Sequence, residues 1–143
     1  MEENIKVLDE LNKGACMGED AINFVLDKAE DTNFKDLLRK QYKKYEEISL
    51  KINDIYNQYK EDDSPQETSK MNKVMTWYGI EWKTLSDNST SKLAELLLQG
   101  TNMGIIEGVK ILNHKVMDSE VKKIAKKFVE MQENSVEELK GYL

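Results

Sequence analysis

The chain has 143 residues, a formal net charge of −6, 34% charged and 39% hydrophobic residues, one proline and one cysteine. That length fits a single domain, 1–143, burying roughly two thirds of its unfolded-chain surface, and no apolar run approaches the ~20 residues that cross a bilayer. Basic residues are interspersed among acids rather than gathered in a stripe, which argues against nucleic-acid binding, while a lone cysteine cannot form an internal disulfide and fits a reducing cytoplasm.

The N-terminal MEENIKVLDEL lacks a basic segment followed by a greasy core, so no signal peptide is expected. A first helix is predicted over 4–29, where Ile5, Leu8, Leu11, Ala15, Gly18, Ile22, Val25 and Ala29 form one apolar stripe. Asp31-Thr32-Asn33 supplies a turn and a choice of N-caps. A second helix follows to about residue 60 on Phe34, Leu38, Gln41, Tyr45, Ile48, Ile52, Ile55 and Tyr59, nearly a heptad. The tight turn makes these two helices antiparallel neighbours.

Residues 61–90 read as a crossover. Pro65 suits the first turn of a short helix over about 66–85, which carries Met71, Val74, Met75, Trp77, Tyr78 and Trp82. Ser86-Asp87-Asn88-Ser89-Thr90 ends it and offers caps for the next helix, about 91–113. The apolar face of that helix is broad, with Leu93, Leu96, Leu97, Leu98, Ile105, Val109, Ile111 and Leu112, so it is expected to be the most buried. A last helix starts at Asp118 or Ser119 and runs to the end on Val121, Ile124, Phe128, Met131, Val136 and Leu139.

A short pattern occurs twice. Gly14-Ala15-Cys16-Met17-Gly18 is matched by Gly100-Thr101-Asn102-Met103-Gly104, and Val25-Leu26 by Ile111-Leu112. With one residue slipped, Asp31, Phe34, Leu37 and Glu46 answer Asp118, Val121, Ile124 and Glu133. The pattern reads as a duplicated helical hairpin, 4–60 and 91–143, joined by the crossover. Glycine inside a helix costs roughly 1 kcal/mol against alanine. Gly14, Gly18, Gly100, Gly104 and Gly108 therefore imply a packing need, and the two glycine faces are expected to meet each other across a pseudo-twofold axis.

The expected fold is an all-α antiparallel four-helix bundle with a short crossover helix. Its plan resembles the ferritin-like superfamily, and most of all the small uncharacterised bacterial ferritin-like domains, several of which lack a metal site. Members that bind two irons carry a glutamate on each of the first and third bundle helices and Glu-x-x-His on each of the other two. Here the corresponding stretches are Glu46-Glu47-Ile48-Ser49 and Glu130-Met131-Gln132-Glu133, both without histidine, and the only histidine is His114. The complete di-iron site therefore cannot be assembled.

Counting from the turns places Gln41, Tyr45, Glu107 and Gln132 at one level of the bundle, with Glu19 facing Gln41 and Tyr45. Two readings stay open: a relic of a metal site, or a buried hydrogen-bond layer that fixes helix register. The second is favoured, because amides are poor transition-metal ligands beside carboxylate and imidazole and buried polar groups usually pair with one another. Glu107 is the single charge in the broad face, so it should be paired, protonated or at a subunit contact. Cys16 has no second thiol and reads as passive. No phosphate loop, Gly-x-Ser-x-Gly, Cys-x-x-Cys or His-Glu-x-x-His occurs.

The expected role is a structural or protein-interaction module without catalytic residues or cofactor, homodimeric, with the broad-faced helix and the Trp77/Trp82 helix as contacts. The alternatives are a carboxylate protein for iron or manganese using Glu19, Glu46, Glu107 and Glu133, and a small-molecule binder with an apolar cavity between the hairpins.

Overall fold

A computed structural model describes residues 2–59 and 85–143. Four helices and no strand are present among the described residues: α1 (Glu2–Lys28), α2 (Thr32–Tyr59), α3 (Thr90–His114) and α4 (Ser119–Lys140). The crossover helix expected over 66–85, with Trp77 and Trp82, lies outside the described residues except for Leu85, which is not helical.

The starts of α2 and α3 each have a local chemical cause. The carboxylate of Asp31 accepts the Phe34 N–H at 2.8 Å and satisfies an orphan donor of α2. Ser89 does the same for α3, accepting from Lys92 N–H at 3.2 Å, and its own N–H is held by the Asp87 carboxylate at 2.9 Å. The N-cap of α4, Asp118, makes no side-chain bond to its own helix. Instead it is tied to two other helices: its N–H donates to Asn4 of α1 and its carboxylate accepts from the Tyr59 hydroxyl of α2, both at 2.8 Å.

One apolar cluster joins all four helices. Leu8, Leu11, Ile22 and Val25 of α1 meet Phe34, Leu38 and Ile52 of α2, Leu93 and Leu96 of α3, and Val121, Phe128 and Leu139 of α4. Each such burial contributes roughly 1.5–3 kcal/mol relative to exposure. The most extensive packing is between α1 and α2 and between α3 and α4. Beyond α4, the ring of Tyr142 packs against Phe34 with centroids 5.1 Å apart.

The expectation that the third bundle helix is the most buried is corrected. Its apolar residues run nearly all the way round, but only the arc holding Gly100, Gly104, Gly108 and Ile111 faces inward. On the other side Met103, Ile106 and Val109 are exposed by 40%, 53% and 38%. No described helix is long and apolar enough to cross a membrane.

Candidate functional site

The helical glycines admit side chains, not each other's backbone. The Tyr45 ring of α2 occupies the space beside Gly18 of α1, where a Cβ would lie 2.5 Å from Cε1 and Cζ. On α3, the Gln132 amide fills the corresponding space at Gly104, and Val129 Cγ2 would lie 2.6 Å from a Cβ on Gly108. Gly14 faces the edge of the Phe128 ring, and Gly100 is buried. The expected apposition of the two glycine faces is thus corrected: a ring or an amide is thicker than a second glycine backbone and takes the room instead.

These side chains form a buried polar group. Tyr45 and Gln132 are 4% and 3% exposed. Burial pushes the Tyr45 phenol up, and hydrogen bonds with Gln132 and Thr101 pull it partly back. Thr101 also donates to the Leu97 carbonyl at 2.7 Å. The phenol oxygen accepts from Gln132 Nε2. Gln132 Oε1 is buried with no hydrogen-bond partner. The Phe128 ring meets Tyr45 edge-on, with centroids 6.2 Å apart.

Gln41 is buried one turn away and does not join this group. Its Nε2 reaches the Ser135 carbonyl at 3.4 Å and the Glu138 carboxylate at 3.3 Å, linking α2 to α4. Glu107 is not part of any buried layer, which corrects its expected place. It lies at the edge of the inward arc, its side chain is 63% exposed, and its carboxylate stands 4.0 Å from Lys110.

The candidate metal ligands are scattered. Glu46, Glu107 and Glu133 are exposed and Glu19 is half-buried. Among the described residues no three of His, Cys, Asp or Glu are grouped so as to hold a metal ion. The reading with iron or manganese gains no donor set from these positions. His114 is exposed at the end of α3.

Two further features lie outside this group, and the first was not foreseen. One is a second buried polar contact: Asn12 of α1 is fully buried and accepts from the Ser49 hydroxyl of α2 at 2.9 Å, while its Nδ2 lies 3.8 Å from the half-buried Cys16 sulfur. Asn4, Leu8 and Asn12 share the i, i+4 ridge of α1, and that spacing was the available signal. The other is a cleft of about 230 Å3 between α1 and α3, bordered by Gly14, Gly104, Gly108 and Phe128, with Glu10 and Glu107 at its rim.

The surface that stands out is the outer side of α3. Met103, Ile106 and Val109 recur every three residues and form one exposed apolar strip. No family model, curated protein or solved structure matches the chain.

Proposed function

We propose that the chain is a non-catalytic helical module of the ferritin-like kind whose partner is a second copy of itself, docked through the outer side of α3. The observation that carries this reading is the exposed strip of Met103, Ile106 and Val109. A row of apolar side chains on one helix costs free energy in water and marks a contact surface. A single helix strip is self-complementary about a twofold axis centred near Ile106, which sets Met103 of one copy against Val109 of the other.

The antiparallel, hairpin-based arrangement belongs to the same reading. It is supported by the pairing of Gly18 with Tyr45 and Asn12 with Ser49, where residue numbers fall along α1 as they rise along α2. Gly104 with Gln132 and Gly108 with Val129 behave alike on α3 and α4. The repeat reading is supported too: Tyr45 and Gln132, the residues preceding the matched Glu46 and Glu133, each fill a glycine notch at the matched Gly18 and Gly104. A cytoplasmic setting, inferred from the single cysteine, completes the proposal.

Light scattering over a concentration series tests it. The expected result is a dimer that Ile106→Glu converts to a folded monomer. A monomer at every concentration up to the millimolar range overturns the reading.

A further inference from the structure

The outer strip of α3 contains one side chain whose polarity chemistry can change. Met103 is 40% exposed and forms the strip with Ile106 and Val109. The other methionines among the described residues are less accessible: Met17 and Met117 are half-buried and Met131 is buried. An oxidant must reach the thioether sulfur to attack it, so among these Met103 is the one it meets first. The next residue, Gly104, turns inward onto Gln132. Reaction at Met103 therefore takes place outside the core and alters the surface, not the packing of the bundle.

With a hydroperoxide the step balances without a further reactant. The sulfur lone pair attacks one peroxide oxygen and the O–O bond breaks. Sulfur is oxidised by two electrons to the sulfoxide. The expelled oxygen takes the proton of the transferred one and leaves, as water when the oxidant is hydrogen peroxide. The product is a polar side chain with a new acceptor oxygen where an apolar one stood. In the twofold contact proposed above, that oxygen is set against Val109 of the other copy, whose side chain has no donor.

We infer that Met103 is a redox modification site: a hydroperoxide converts its exposed thioether to the sulfoxide and so separates two copies of the chain. This deepens the self-association reading and rests on it. Each copy covers the Met103 of the other, so oxidation acts on the separated subunit and blocks its return. One unpaired buried polar group weakens association about tenfold, and the twofold places two in each dimer, about a hundredfold in all.

Hydrogen peroxide treatment of the full chain tests this, with oxidation read by peptide mass spectrometry and association by light scattering over a dilution series. The sulfoxide is expected at Met103 before Met17, Met117 and Met131, and more slowly at concentrations above the dimer Kd. The Kd of treated protein should rise by the factor above with helical circular dichroism unchanged, and methionine sulfoxide reductases should restore it. Met103→Leu keeps the strip apolar and retains Cys16 and every other methionine, so it should dimerise and stay dimeric in peroxide. Met103→Gln should be weakened without peroxide. A dimer that persists with Met103 oxidised, or a Met103→Leu dimer that peroxide dissociates as readily as the parent, overturns this inference and leaves self-association standing. A chain that is monomeric before any peroxide is added overturns both.

Discussion

The Tyr45 ring fills the space beside Gly18, so close that a Cβ on Gly18 would stand 2.5 Å from two ring carbons. Alanine gains roughly 1 kcal/mol of helix propensity over glycine, but overpacking a core ring costs about 1–3 kcal/mol. Gly18→Ala is therefore expected to lose up to about 2 kcal/mol net, the clash outweighing the propensity gain. At Gly14 the nearest atom, Phe128 Cζ, is 3.3 Å away and needs to yield only slightly. Gly14→Ala should fall within about 1 kcal/mol of the parent. Urea denaturation of both variants decides; equal destabilisation would refute the glycine-notch account.

The same ring is coupled to Gln132 through its hydroxyl. Gln132→Met removes that bond, but it also removes the unpartnered Oε1, so its own effect should stay within about 1 kcal/mol. Tyr45→Phe in the parent strands the amide nitrogen as well as the oxygen, at about 1–3 kcal/mol. In the Gln132→Met background the same change should cost clearly less. A double-mutant cycle measures the difference; additive losses would show that Tyr45 and Gln132 do not interact.

Tyr59 joins the end of α2 to the start of α4 through Asp118. Desolvation, the hydrogen bond to Asp118, and the negative charges of Asp118 and Glu120 push its pKa from 10.0 up to about 12. The folded state thus prefers the neutral phenol. The stability this contributes is fully present below pH 10 and is lost as pH rises through about 12. Tyr59→Phe should flatten part of that alkaline decline, followed by denaturant melts at stepped pH. A decline of identical depth in both proteins would exclude Tyr59 as its source.

Much of this was legible because helix periodicity survives in one sequence. The turn at Asp31 and the cap at Ser89 carry side chains that bond the next helix's N–H groups. The burial of Gln41, Tyr45 and Gln132 was readable because each interrupts an apolar stripe at its centre. Glu107 was misplaced for the opposite reason. The apolar residues of α3 surround the helix, so its pattern does not say which arc meets neighbours; the inward arc is the one rich in glycine. Glycine spacing announces a close approach without naming what approaches, so Tyr45 and Gln132 in the notches required coordinates. Asn12 was overlooked because a lone asparagine in a helix reads as solvent-facing.

That overlooked residue carries a prediction. Asn12 is 0% exposed, and its Oδ1 accepts the Ser49 proton at 2.9 Å. Asn12→Leu leaves the Ser49 hydroxyl without this acceptor and should cost about 1–3 kcal/mol. Adding Ser49→Ala removes the stranded hydroxyl, so the double variant should regain most of the loss despite having fewer hydrogen bonds. The Ser49 carbonyl keeps its bond from Asn53 Nδ2 at 2.7 Å in either case, so the backbone of α2 is undisturbed. Cys16 supplies a local readout, since its sulfur sits 3.8 Å from Asn12 Nδ2. Its reaction rate with a thiol reagent should rise in Asn12→Leu and stay raised in the double variant, which lacks the same amide. If the double variant is no more stable than Asn12→Leu, the pair does not act as a unit, and the loss lies in the shape of leucine at that position.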